Sequence, residues 1–139
     1  MSDWTSPQSL AFIPNGKLVT FTALHQAALT QYVQIIDSNG NPIAFTTLDG
    51  QSARFPISGT GTTVGFFTNG AGKFTMQEGY KIQFKNSGSN VSLVSAANPN
   101  QFFINGTIFG GGTMFVTEDQ GGTDYNDTSF VIQWYQYEG

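Results

Sequence analysis

Short runs of β-forming residues, separated by turn residues, constrain the fold of this sequence more than any other feature. The runs are rich in Val, Ile, Phe, Thr and Tyr, and they span residues 10–13, 17–23, 31–37, 43–48, 53–57, 63–68, 73–76, 80–84, 91–95, 101–104, 113–117 and 129–137. Asn-Gly pairs begin at Asn15, Asn39, Asn69 and Asn105, and this pair favours the positive φ angles of tight hairpin turns. We therefore predict an all-β fold, an antiparallel β-sandwich of jelly-roll or Greek-key type with about 9–12 short strands.

The alternation of side chains between two faces is clearest in the last run, SFVIQWYQY. Phe130, Ile132 and Trp134 fall on one face and the residues between them on the other, as in a strand that packs against a second sheet. We therefore expect Trp134 in the core rather than exposed as a platform for sugar stacking. Only the stretch 23–30, ALHQAALT, departs from the strand pattern, and it could form a helical turn or a loop. Because the 139 residues contain no linker, we expect one domain over residues 1–139.

Charge and composition exclude several classes of function. Only 10% of residues are charged, the net charge is −4, and the five bases are scattered singly, so we predict no nucleic-acid partner. No apolar run approaches the ~20 residues needed to span a bilayer, so we predict no membrane insertion. The N-terminal residues lack the features of a signal peptide. We expect a soluble protein made in the cytoplasm, with non-classical export or a cell-surface role left open.

The acids are concentrated near the C-terminus, in EDQGGTDYND, residues 118–127, which we call the acidic loop. From residue 86 to residue 139 there are five acids and no Lys or Arg, whereas the first 85 residues hold four acids and five bases. Carboxylates this close repel one another unless they are well solvated or a cation lies among them. The loop offers only oxygen ligands, and its irregular spacing suits Ca²⁺ better than Mg²⁺. Composition alone leaves a calcium site and a solvated turn as alternatives.

Residues 117–134, TEDQGGTDYNDTSFVIQW, resemble the C-terminal signature of the calcium-dependent, fucose- and mannose-binding bacterial lectins. As in that family, Glu118 stands six residues before Asp124, and Trp134 stands seven residues after Asp127. The resemblance implies one or two Ca²⁺ ions held by Glu118, Asp124, Asn126 and Asp127, with sugar hydroxyls completing the coordination. It also implies hydrogen bonds from the sugar to Asp119, Asp124 and Asp127, and a neighbouring subunit that contributes its C-terminal Gly139.

Three positions depart from the family pattern. Gly122 stands where the family has a further acid, and the tail after Trp134 is two residues longer. Gln26 stands near the position of an asparagine ligand, and the Ala27-Ala28-Leu29 that follows replaces a small polar loop that contacts the sugar. We retain Gln26 as a candidate ligand-binding residue. These departures leave the number of ions and the identity of the sugar open.

A second resemblance uses partly different residues. Asp119, Thr123, Asn126 and Asp127 follow the D-x3-T-x2-N-[N/D] spacing of the one-calcium, galactose-binding bacterial lectins. This resemblance implies that these four residues are the calcium ligands, with Thr123 binding through its backbone carbonyl, and that Glu118 and Asp124 are not ligands. The two alignments share Asn126 and Asp127. We therefore expect fucose, mannose or galactose as the sugar, and a homo-oligomer, because repeated weak sites gain avidity.

Catalysis has little support, because the sequence contains no Cys, no GxSxG, no HExxH and no phosphate-binding loop. We predict that the protein is not an enzyme. The alternative to a lectin is a β-sandwich interaction protein, a toxin or adhesin component, in which calcium only holds the loop and no sugar binds. His25, the only histidine, has no second histidine with which to form a zinc site.

Overall fold

The computed structural model describes residues 3–88, 90–95, 99–119 and 122–139. Every regular element in these residues is a β-strand, which confirms the predicted all-β class. The strands are β1 (Gln8–Ser9), β2 (Leu18–Ile36), β3 (Ala44–Thr47), β4 (Ser52–Arg54), β5 (Ile57–Thr75), β6 (Lys81–Asn86), β7 (Val91–Ser95), β8 (Asn100–Ile104), β9 (Thr107–Asp119) and β10 (Thr128–Tyr135). The described part of the chain contains no helix that could span a membrane.

All strand pairs are antiparallel, and the main sheet order is β4-β3-β5-β2-β10-β9-β7. The long strand β2 changes partners along its length: residues 18–25 pair with β10, and residues 31–36 pair with β6. Phe84 of β6 and Phe130 of β10 nevertheless meet edge to face, with ring centroids 6.5 Å apart. Because β6 and β10 are not paired with each other, this contact shows that the sheet folds over a shared core, as in a sandwich.

Phenylalanine dominates that core. Phe21 lies within about 5 Å of three other rings, with centroid distances of 5.2 Å to Phe45, 5.2 Å to Phe55 and 5.3 Å to Phe130. Phe130, Ile132 and Trp134 are all buried, which confirms the predicted inward face of the last strand and the core position of Trp134. Burying this much aromatic surface supplies the main favourable free energy of folding.

The interpretation of residues 23–30 as a helical turn or loop is wrong, because these residues belong to β2. They pair with β5 on one side, from Leu24↔Phe66 to Ala27↔Gly61, and with β10 on the other as far as His25. The register with β5 shifts three times between Thr22 and Gln31, so the strand bends without ending. The runs 17–23 and 31–37 are therefore parts of one strand.

Three other boundaries also differ from the prediction. The run 10–13 is a turn rather than a strand, with Ile13 N–H donating to the Leu10 carbonyl at 2.9 Å. The run 53–57 is divided, because Pro56 has no N–H to continue a ladder. The runs 63–68 and 73–76 both lie in β5, where Asn69 has a φ of 56° but interrupts the register instead of ending the strand.

Of the four Asn-Gly pairs, Asn105-Gly106 forms the predicted hairpin turn. Its φ angles are 51° and 78°, and it joins β8 to β9. Both residues adopt the left-handed conformation that a two-residue hairpin of this type requires.

Candidate calcium and sugar site

The acidic loop connects β9 to β10, next to the middle of β2. The loop rejoins the sheet at Asp127, whose N–H donates to the Thr117 carbonyl at 3.2 Å. The Asp127 carbonyl accepts the N–H of Gln26 at 3.2 Å. These two bonds hold Asp127, at the end of the loop, between β9 and β2.

Three carboxylates of the loop come together in an acid cluster, which consists of Glu118, Asp124 and Asp127. One oxygen from each lies within 4.8 Å of the others. Glu118 and Asp127 are buried, and Asp124 is exposed. The Tyr125 N–H donates to Glu118 Oε2 at 2.8 Å, and the Asp119 N–H donates to Asp127 Oδ2. Backbone donors therefore orient both buried carboxylates.

Ionising Asp127 is unfavourable. Burial raises the pKa of Asp127 from 3.8 to about 7, and the nearby charges of Asp119 and Glu118 act in the same direction. The hydrogen bond from the Asp119 N–H acts in the opposite direction. A buried carboxylate beside other acids is stabilised in its charged form by a cation, because the cation offsets both the desolvation and the repulsion.

Asn126, the residue before Asp127, has a buried side-chain oxygen of its own. Its Nδ2 donates to Gln26 Oε1 at 2.9 Å, which directs Nδ2 toward β2. Its Oδ1 is buried, and no donor for it is found among the described residues. A buried carbonyl oxygen without a donor is costly unless something else satisfies it. Hard cations prefer carboxylate and amide oxygens, so the acid cluster and Asn126 fit calcium.

Asp119 and Thr123 are placed differently from the acid cluster. The Asp119 carboxylate accepts a hydrogen bond from Gln31 Nε2 at 2.9 Å. Gln31 is fully buried on β2, and its Oε1 also accepts the Thr128 hydroxyl at 3.4 Å. Thr123 is exposed in the loop. The sequence reasoning did not identify Gln31, and no local signal marks it, because its partner lies 88 residues away.

Gly122, where the family has an acid, faces the Glu118 side chain. A Cβ at this position would collide with Glu118 Oε1 and lie 2.8 Å from Glu118 Cδ. The Glu118 carboxylate thus occupies the space that a side chain at residue 122 would need. A side chain at residue 122 would therefore displace the Glu118 carboxylate from this position.

Gly139 is not brought to the acidic loop of its own chain. β10 extends away from the loop for eight residues, a length of roughly 25 Å at the usual rise per residue of a strand. Beyond it, the Gln136 N–H donates to the Phe109 carbonyl at 3.0 Å, and the Tyr137 ring packs 6.0 Å from that of Phe109. In this arrangement Gly139 could reach a site of this kind only in another copy of the chain.

His25 and Tyr125 lie beside the site without joining the acid cluster. His25 is buried, stacks on Phe67 at 5.6 Å, and its Nδ1 lies 3.4 Å from the Gly61 carbonyl. The Tyr125 side chain is exposed, and its backbone N–H makes the contact with Glu118.

Comparison with known proteins agrees with this fold. Residues 11–136 match the family model of fucose-binding lectin II (PA-IIL). A comparison with curated protein sequences finds no significant match.

Several solved lectins share the fold. The Ralstonia solanacearum high-affinity mannose-binding lectin is 25% identical, with a TM-score of 0.63 over 90% of this chain and 94% of that one. The Chromobacterium violaceum lectin CV2L, solved with alpha-methyl-fucoside, is 21% identical. Its TM-score is 0.64, and the match again covers 90% of this chain and 94% of that one. The C-terminal domain of the Burkholderia cenocepacia lectin BC2L-C is 18% identical, with a TM-score of 0.62 over 90% and 93%. The chain therefore belongs to the fucose-binding lectin II family, a family of carbohydrate-binding proteins that are not enzymes and are generally calcium-dependent.

Proposed function

We propose that residues 1–139 form one lectin domain that binds sugar through calcium held by Glu118, Asp124, Asn126 and Asp127. The observation that carries this proposal is the convergence of three carboxylates within 4.8 Å, beside a buried Asn126 oxygen that has no donor among the described residues. Calcium, when bound, supplies coordination positions that the hydroxyl groups of a neutral sugar can fill.

The proposed role of each carboxylate follows from its exposure. Glu118 and Asp127 are buried and oriented by backbone N–H groups, so they hold the ion and fix its position. Asp124 is exposed, so its carboxylate can also accept hydrogen bonds from sugar hydroxyls. Gln26 lies against Asn126 at the edge of the same site and is the neighbouring side chain from β2 that we expect to contact the sugar.

The proposed sugar is of the fucose or mannose type. The family match and the two relatives named for fucoside and mannose binding support this class. The bond between Asp119 and Gln31 also supports it, because the galactose-type alignment requires Asp119 as a metal ligand, whereas this carboxylate is directed to Gln31. Galactose remains in the test as the alternative.

We further propose that the lectin is a homo-oligomer. Large apolar side chains are exposed on β8, on β9 and on the tail, namely Phe102, Phe103, Ile104, Phe109, Met114 and Tyr137. β8 itself carries no charged residue, and charges on an edge strand normally protect it from pairing with another chain. Such a surface supports self-association, and repetition of a weak sugar site would raise avidity.

Calorimetric titration of EDTA-treated protein with CaCl₂ tests the calcium site. We expect saturable binding, with a stoichiometry that distinguishes one ion from two. Asp124→Ala and Asp127→Ala should abolish it, whereas Glu78→Ala, which removes an exposed acid in the turn between β5 and β6, should leave it unchanged. Full calcium affinity in either Asp variant would show that the ligands are assigned wrongly. The calcium-loaded protein is then titrated with the methyl glycosides of fucose, mannose and galactose, and calcium binding without any sugar heat would favour a structural ion.

A further inference from the structure

An exposed aromatic residue lies on the sheet next to the proposed calcium site. In the strand order, β10 is followed by β2 and then by β5. Gln26 of β2 contacts Asn126 through its side chain, and Phe66 of β5 lies directly opposite Leu24. Gln26 stands two residues beyond Leu24 on β2, so it lies diagonally across from Phe66, at a point where the ladder between β2 and β5 shifts register between His25 and Ala27.

Gln26 and Phe66 also share the solvent-facing side of the sheet. On β2 the odd-numbered Ala23, His25 and Ala27 are buried, so Leu24 and Gln26 point the other way. On β5 the next residue, Phe67, is buried and stacks on His25, which directs the Phe66 ring outward. The ring thus stands on the surface from which Gln26 reaches the site.

The surface around Phe66 is unusually apolar. Phe66 is 67% exposed, Val64 is 61% exposed, and Leu48 is 83% exposed. Leu48 and Phe66 line one groove of about 350 Å³, which continues to Asn69 and Ala71. Contiguous exposed apolar groups on a β-sheet mark binding surfaces more often than chance positions do. Three side chains provide far less than the ~800 Å² that each partner contributes to a standard protein interface, so a small ligand suits this surface better than a protein.

We propose that Phe66, with Val64 and Leu48, forms a second sugar subsite, which binds the pyranose ring linked to the sugar at the calcium site. This inference rests on the proposed function. A pyranose presents C–H groups on its faces, and one such face can cover an aromatic ring while its hydroxyls stay in water. Gln26, whose side chain contacts Asn126, lies on the strand next to that of Phe66, and the groove at Phe66 also offers the Asp49 carboxylate as an acceptor for sugar hydroxyls. The preferred ligand is then an oligosaccharide and not a free monosaccharide.

Calorimetry of the calcium-loaded protein tests this assignment. The probes are methyl α-mannoside and methyl α-fucoside, each beside a panel of disaccharides that carry the same sugar at the non-reducing end. Covering one face of Phe66 removes roughly 60 Å² of apolar surface from water, which corresponds to about a tenfold lower Kd for the best disaccharide. Phe66→Ala should abolish this gain and leave the Kd for the methyl glycosides unchanged, and Phe66→Tyr should retain the gain.

Tyr135→Ala is the control, because Tyr135 is an exposed aromatic residue at the end of β10 that is farthest from the acidic loop. It should keep the disaccharide gain. Equal Kd values of the wild type for mono- and disaccharides, or a gain that survives in Phe66→Ala, would overturn the subsite while leaving the lectin function intact. A gain for p-nitrophenyl glycosides alone would overturn the second sugar in favour of an apolar aglycone. No binding of any methyl glycoside would refute the proposed function and the subsite with it.

Discussion

Asp127→Asn should stabilise the calcium-stripped protein although it removes a proposed calcium ligand. The pKa of Asp127 is raised from 3.8 to about 7, because the carboxyl is buried and lies near the charges of Asp119 and Glu118. Between pH 4 and pH 7 the folded chain therefore retains a proton that the unfolded chain has lost. The folded state binds more protons in this window, so the stability of the stripped protein falls as the pH rises through it.

The size of the effect follows from the pKa. At ~1.4 kcal/mol per pKa unit, a rise from 3.8 to about 7 sets an upper limit of about 4 kcal/mol on the penalty above pH 7. Water at the exposed Asp124 side of the cluster screens the charges, which reduces the expected penalty to roughly 1–2 kcal/mol. Asparagine has the same shape, keeps an oxygen for the Asp119 N–H, and carries no charge. At pH 8 the stripped variant should exceed the stripped wild type by this amount.

Urea unfolding at pH 5, 6, 7 and 8 measures the difference. With EDTA, Asp127→Asn should show a smaller fall in the free energy of unfolding between pH 5 and pH 8. With calcium at a hundred times its Kd, the wild type should gain about 2.7 kcal/mol and the variant nothing, so the order reverses. Glu78→Gln, at an exposed acid, should follow the wild type in both series. A stripped Asp127→Asn that is less stable than the wild type at pH 8 would refute the reasoning.

Three further substitutions test individual contacts. Gly122→Ala places a methyl group against the Glu118 carboxylate and should displace this carboxylate from the Tyr125 N–H. We expect calorimetry to show a calcium affinity that is about threefold to tenfold lower. Unchanged affinity would contradict a steric role for Gly122. Gln31→Ala removes the side-chain partner of Asp119 and should cost about 2–3 kcal/mol in urea unfolding while preserving the calcium stoichiometry; a lost ion would place Gln31 in the site. His25→Ala leaves a cavity beside Phe67 and should lower the Tm but keep the calcium stoichiometry; loss of calcium binding would make His25 part of the site.

The elements that local sequence determines were predictable. The period-two pattern of β10 gave its buried face correctly, and Asn105-Gly106 forms the hairpin turn that this pair favours. The acidic loop stood out because its carboxylates have no nearby Lys or Arg, and three of them do meet in space. These features depend on residues close together in the chain, so a sequence records them directly.

The features that depend on distant residues were not predictable. Residues 23–30 include good helix formers such as Ala and Leu, and only their pairing with β5 and β10 makes them a strand. Gln26 and Asn126 are 100 residues apart, and Gln26 was a candidate only through the family resemblance. The outward direction of Phe66 follows from its register with Leu24, which the sequence of β5 alone does not fix.

The central claim is that sugar binds through calcium held by the acid cluster. The most direct measurement is a calorimetric titration of methyl α-fucoside and methyl α-mannoside into the calcium-loaded protein, repeated after EDTA and again after calcium is restored. We expect saturable binding of at least one glycoside, its loss with EDTA and its full recovery with calcium. Sugar binding that persists in EDTA, or no sugar binding in protein that has taken up calcium, would contradict it.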